Sequence, residues 1–203
     1  MKRIVCYGDS NTWGYDVLTD GRFGSERWTR VLASLLGEGY EILEEGLCGR
    51  TTVFDDPLNE GLSGLSYLTP CLSSHGPFDT LVIMLGTNDC KERFSLTARN
   101  IADGLKALVL KARSLPVWTG SPDILVIAPA PMPPECEHAV FAGEMGRCSA
   151  KSYQLADEFR KTAELTGARF FDASGAPLSP VDHMHLSIQG HRWLAERVSE
   201  LVR

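Results

Sequence analysis

A serine just past a short apolar run, a glycine in one small-residue turn, an asparagine in another and an Asp-x-x-His pair are the ingredients of nucleophilic catalysis. In this sequence they are Ser10 in Gly8-Asp9-Ser10-Asn11, Gly49 after Gly46-Leu47-Cys48, Asn88 in Gly86-Thr87-Asn88-Asp89, and Asp182-His183-Met184-His185. A serine hydroxyl is a poor nucleophile until an imidazole takes its proton, and a carboxylate must hold that imidazole in one tautomer. The tetrahedral intermediate then carries a negative oxygen, which backbone N–H groups beside glycines and an asparagine amide can receive. Taken singly, each feature also fits a plainer role as a turn, a helix cap or a solvated loop histidine. The chemistry follows only if the fold brings the four stretches together.

The elements between them are those of an alternating α/β chain. The apolar run Ile4, Val5, Cys6, Tyr7 reads as a strand covered on both faces, and it stops at the Gly8-Asp9-Ser10 turn. Ser25 reads as the cap of a helix over 26–36, whose stripe is Trp28, Val31, Leu32, Leu35 and Leu36. A second strand is expected at 40–43, a loop-like stretch at 55–66, and broken helical character through Leu62, Leu65, Leu68 and Leu72, interrupted at Pro70. The clearest strand covers 80–85, a long amphipathic helix 95–113, and a fourth strand 123–128 before the proline-rich stretch 129–134. A helix over 145–166, a short strand at 168–171 and a last helix capped by Ser187, with the stripe His191, Leu194, Val198, Leu201 and Val202, complete the chain.

This alternation predicts one domain over 1–203, a three-layer α/β/α sandwich around a five-stranded parallel sheet of flavodoxin-like shape. In a parallel sheet all strands point the same way. The ends that carry Ser10, Gly49 and Asn88 therefore meet on one edge, where open α/β sheets gather their ligands. Trp13 and Tyr15 follow Ser10 closely and are candidate walls of a pocket, with Asp9 shaping the turn. Specificity is expected in the loops 15–24, 54–78 and 129–148.

The composition, 43% hydrophobic and 23% charged with a net charge of −6, is that of an ordinary globular protein. It holds no basic run for nucleic acid and no apolar run long enough to cross a membrane. Met1-Lys2-Arg3 leads straight into the first strand without an apolar leader, so a cytoplasmic location is expected. The six cysteines include no C-x-x-C pair, which argues against zinc, and that compartment argues against structural disulfides. Cys6 and Cys71 read as core residues, while Cys48 and Cys90 flank the turns of interest. No metal or other cofactor is expected. Neither the Gly-x-x-x-x-Gly-Lys-Ser/Thr phosphate loop nor Gly-x-Gly-x-x-Gly is present.

The four stretches, in this order and spanning residues 8 to 185, resemble the four sequence blocks of the SGNH (GDSL-type) serine hydrolases. Further strings, among them RWT, DDP, SYL and FFDA, are similar to the bacterial arylesterase and acyltransferase branch. The resemblance implies Ser10 as nucleophile, His185 as base and Asp182 as its orienting carboxylate. It also implies an oxyanion hole from the Ser10 and Gly49 N–H groups and the Asn88 amide. The D-x-x-H pattern selects His185 over His183, while His75, His138 and His191 read as structural. Asn11 stands where the family has leucine, a position that supplies no catalytic atom. Gly49 follows the broad family, whereas the acyl-transferring members of the branch have alanine, so hydrolysis is expected ahead of acyl transfer. The substrate implied is a small ester with a short acyl group, and the assembly implied is a homo-oligomer. Thioesterase, lysophospholipase and sugar deacetylase activities share the same parts, and a non-catalytic α/β ligand-binding domain is the rival of another class.

Overall fold

The computed structural model describes residues 1–203. In chain order the elements are β1 (Lys2–Gly8), the single-turn helix α1 (Ser10–Trp13), a small hairpin of β2 (Tyr15–Asp16) and β3 (Gly21–Arg22), and α2 (Trp28–Leu36). β4 (Tyr40–Gly46), α3 (Gly64–His75), β5 (Phe78–Met84), α4 (Ala98–Ser114) and β6 (Trp118–Ala128) follow. The chain ends with two short helices, α5 (Ala142–Met145) and α6 (Ser149–Ser152), then α7 (Leu155–Thr166), β7 (Arg169–Asp172) and α8 (Ile188–Val202).

Five strands form one parallel sheet in the order β4-β1-β5-β6-β7. Alternate side chains of each strand point to opposite faces. Val5, Tyr7, Leu81 and Ile83 therefore pack with Leu68 and Leu72 of α3, Leu105 of α4 and Phe159 of α7. Ile4, Cys6, Val82 and Met84 pack on the other face with Trp28 and Leu32 of α2 and Leu194 and Val198 of α8. The result is the expected α/β/α sandwich. Because β1 sits between β4 and β5, the chain reverses its direction of winding there. That is the switch point at whose carboxyl end ligands bind in this strand order.

Several boundaries differ from the sequence reading for identifiable reasons. α2 begins at Trp28 rather than residue 26, and Ser25 does not cap it. The first helical N–H, that of Trp28, is instead received by Nδ1 of His191 at 3.2 Å, a partner 163 residues away. α3 runs unbroken through Pro70 because that ring lies on the exposed side, while Leu68, Cys71 and Leu72 bury the other. An interior proline costs about 3 kcal/mol, and burying each leucine returns about 1.5–3 kcal/mol. The helix expected over 145–166 is three separate pieces. Gly146 has a φ of 60°, and a Cβ there would sit 2.4 Å from the Glu92 carboxylate, so the chain turns sharply after α5. Leu201, expected in the α8 stripe, is 36% exposed; Ala195 takes the buried place instead. No helix is long and apolar enough to cross a membrane.

Candidate active site

β1 ends at Gly8, and Asp9 caps the turn that follows: its Oδ1 accepts the Asn11 N–H at 2.9 Å, and its carbonyl accepts those of Thr12 and Trp13. This places Ser10 at the first position of α1. The close packing of α1 on the end of β4 requires Gly46, where a Cβ would lie 2.1 Å from the Trp13 nitrogen. The Ser10 hydroxyl is 2.9 Å from Nε2 of His185, and Nδ1 of the same ring is 2.6 Å from Oδ2 of Asp182. The other Asp182 oxygen accepts the backbone N–H groups of Met184 (3.0 Å) and His185 (3.1 Å), which folds Asp-x-x-His into one tight turn. His183 bridges that turn with a φ of 56° and does not line the cavity. Burial alone raises the Asp182 pKa, but the hydrogen bonds from His185 and the backbone outweigh it, and the carboxyl titrates below its ordinary range. It remains an anion facing the imidazole.

Opposite the hydroxyl, Gly49 turns the chain with a φ of 85°, and the Asn88 amide donates to the Arg50 carbonyl at 3.2 Å. The backbone N–H groups of Ser10 and Gly49 donate to no other group of the protein, and both residues line one cavity with Asn88. Two buried ties hold this turn. Arg50 donates to the carbonyls of Gly8 (2.9 Å) and Glu45 and lies over the Tyr7 ring, 4.2 Å from its centroid. Asp89 accepts from the Thr52 N–H at 2.9 Å and from the Thr52 hydroxyl. Burial pushes the Asp89 carboxyl up to about 6 against these bonds, and burial likewise pushes Asp9 up to about 6.

A cavity of about 250 Å³ opens over Ser10, His185, Gly49 and Asn88. Tyr15, Leu62, Phe141, Met145 and Met184 form its apolar walls, and Asn59, Lys91 and Glu144 its polar side. The His185 ring lies 4.7 Å from that of Tyr15 and 5.8 Å from that of Phe141, between centroids. Of the three expected pocket residues, only Tyr15 lines the cavity. Asp9 is spent on its cap beneath Ser10. Trp13 faces the β2–β3 hairpin, where Arg22 lies 5.1 Å over its ring and donates to its carbonyl at 2.7 Å. Cys48 reaches the cavity, whereas Cys90 is fully buried away from it.

Other members of the site had no sequence signal. Arg50 is 2% exposed, and arginine is among the residues least often buried. Lys91, also 2% exposed, is held by Glu144 on the polar side of the cavity. Asn11 clasps the histidine loop on both sides: its Oδ1 accepts the Leu186 N–H at 2.8 Å, and its Nδ2 donates to the Met184 carbonyl at 3.4 Å. One group of side chains, Glu45, Cys71 and His75, brings together donors of the kind that hold metals. They lie outside the cavity and are bonded to one another, with His75 Nε2 2.5 Å from Glu45. Burial, and then the Glu45 charge, push the Cys71 thiol up to about 12, so it remains protonated.

The model of the GDSL-like lipase/acylhydrolase family matches residues 6–193. Among solved structures, the native aryl esterase of M. smegmatis superposes with a TM-score of 0.92 at 37% identity, covering 100% of this chain and 99% of the other. A carbohydrate acetylesterase family member from Sinorhizobium meliloti does so with a TM-score of 0.92 at 34% identity, covering 100% and 98%. A putative arylesterase from Agrobacterium tumefaciens str. C58 gives 0.88 at 34% identity, covering 100% and 99%. No curated protein matches the chain.

Proposed function

The chain belongs to the GDSL-like lipase/acylhydrolase family, and on that premise we propose that it hydrolyses esters of short acyl groups through an acyl-enzyme on Ser10. It is a carboxylic ester hydrolase. The observation that carries the finer reading is the unbroken hydrogen-bonded line from Ser10 Oγ through the His185 ring to Asp182, at 2.9 and 2.6 Å.

In this reading, Ser10 Oγ attacks the ester carbonyl as its proton passes to Nε2 of His185, and Asp182 steadies the imidazolium through the Nδ1 hydrogen. The carbonyl oxygen, now an anion, moves towards the Ser10 and Gly49 N–H groups and the Asn88 amide. One such donor is worth about 10²–10³ in kcat, because it acts on charge present only in the transition state. His185 then protonates the departing alcohol. Water, activated by the same ring, releases the acid and restores Ser10, and an alcohol in place of water gives acyl transfer as a side reaction.

The short-acyl preference follows from the cavity. At about 250 Å³ it lies below the 300–1,000 Å³ typical of drug-sized ligand sites, and Tyr15 and Phe141 crowd the imidazole. A second reading, acetyl esters of a polyhydroxylated alcohol such as a sugar, is favoured by Asn59, Lys91 and Glu144 on one side of the cavity.

The test is a panel of p-nitrophenyl esters from acetate to octanoate beside acetylated sugars and acyl thioesters. Turnover should be fastest for acetate and fall with chain length. Maximal rates at eight carbons or more contradict the short-acyl assignment, and acetylated sugars outpacing the aryl esters select the second reading.

A further inference from the structure

We propose that Cys136 and Cys148 are a disulfide-forming pair, and that the bond between them pins one wall of the cavity. Their sulfurs lie 3.3 Å apart, and both residues are buried, 1% and 0% exposed. The chain between them carries Phe141, Glu144 and Met145, which line the cavity over the catalytic residues. The neighbouring backbone already closes this loop: the Ser149 N–H donates to the Glu137 carboxylate at 2.9 Å, so residues 137 and 149 meet just beyond the two sulfurs. Bringing the sulfurs from contact to a bond of about 2.05 Å therefore asks for side-chain movement rather than refolding. The twelve-residue separation has no motif meaning in the sequence, which is why the pairing is visible only in the fold.

The step is thiol–disulfide exchange with a small disulfide such as glutathione disulfide. One cysteine, as its thiolate, attacks a sulfur of the oxidant and expels one glutathione thiolate, leaving a mixed disulfide on the protein. The second cysteine attacks the protein-bound sulfur, forms the intramolecular bond and expels the second glutathione. Two protein thiols are oxidised, one glutathione disulfide is reduced to two thiols, and the two protons go with them. Burial pushes both cysteine thiols up, which makes the exchange slow but leaves the reduced state without the thiolate stabilisation that renders a disulfide easy to reduce. The cavity wall is thus stapled by a bond that forms slowly and persists.

The test uses the intact protein and does not depend on its activity. After incubation with glutathione disulfide and removal of excess reagent, thiols are counted in denaturant and a non-reduced tryptic digest is analysed by mass. Cleavage after Arg113, Arg147 and Lys151 puts Cys136 in peptide 114–147 and Cys148 in peptide 148–151, while Cys71 and Cys90 share peptide 51–91. The expected results are loss of the Cys136 and Cys148 thiols together, with any adduct of the exposed Cys48 located in its own peptide and counted apart, peptides 114–147 and 148–151 joined, and full reversal by dithiothreitol. Cys136→Ser and Cys148→Ser should yield no joined peptide in the same treatment, and in the variant that keeps only the attacking cysteine that residue should remain as an unresolved glutathione adduct. Cleavage at the exposed Arg147 in the folded protein should be several-fold slower when oxidised. Six free thiols, glutathione adducts on Cys136 or Cys148 of the natural chain that never resolve, or linkage through peptide 51–91 overturn the pairing. Equal cleavage rates at Arg147 overturn the pinning.

Discussion

Asn11 tests whether the histidine loop must be clamped for turnover. Asn11→Ala removes the acceptor of the Leu186 N–H and the donor to the Met184 carbonyl, one on each side of His185, in a place where Asn11 is 5% exposed. The 2.8 Å bond is the stronger of the two, and its loss leaves a buried N–H without a partner. An unsatisfied buried group costs about 1–3 kcal/mol, and for a chain of this size 2 kcal/mol corresponds to a fall of about 4–8 °C in Tm. The kinetic effect is separate. Nothing else in the clasp fixes Leu186 against α1, so His185 gains freedom relative to Ser10, and displacements near 1 Å cost up to about 10² in rate. We expect kcat on p-nitrophenyl acetate to drop about tenfold or more with KM nearly unchanged, because Asn11 does not line the cavity. A variant that melts lower yet keeps its kcat, or whose defect lies in KM alone, refutes the clamp.

The two histidines of the loop should separate cleanly. His185→Ala should lose several orders of magnitude in kcat, and Ser10→Ala combined with it should be hardly worse, since members of such a unit are not additive. His183→Ala should retain most activity; the reverse ranking in steady-state assays moves the base to the neighbour. Stability should also depend on pH through Asp9 and Asp89, whose carboxyls rise from 3.8 to about 6 in the fold. Between those values the unfolded chain is ionised while the folded one still holds the protons. Stability therefore falls as pH rises from about 4 to about 6, by up to about 3 kcal/mol for each group. Urea midpoints measured across that window should fall less steeply for Asp9→Asn than for the natural chain, and an identical slope contradicts the assignment.

The parts of the site legible in the sequence are those whose chemistry is local. An apolar run broken by Gly8-Asp9-Ser10 marks a strand end, because small and turn-forming residues are needed there whatever lies nearby. The Asp-x-x-His spacing closes a single turn by itself, with Asp182 taking two backbone N–H groups from the same four residues. What the sequence misplaces depends on distant partners. Ser25 has the right type to cap α2, yet His191 supplies the bond from the far end of the chain. Apolar periodicity over 145–166 resembles one helix, but Gly146 turns beside Glu92, and the ion pair of Arg147 with Glu92 ties that turn to the segment after β5. The cavity wall built there, with Phe141, Glu144 and Met145, has no periodicity of its own. Trp13 reads as a pocket aromatic from its nearness to Ser10, whereas the β2–β3 hairpin and Arg22 draw it to the outside. Buried Arg50 and Lys91 are fixed by carbonyls and carboxylates that no local pattern announces.

The activation of Ser10 is most directly measured by covalent capture. The protein is treated with a fluorophosphonate at neutral pH, digested, and the modified residue located by mass, with His185→Ala treated in parallel. One adduct per chain on Ser10, its formation slowed by orders of magnitude in His185→Ala, is the predicted result. A chain that takes up no phosphonate, or takes it up at another residue, or labels Ser10 equally fast without His185, contradicts the assignment of Ser10 as a nucleophile activated by His185.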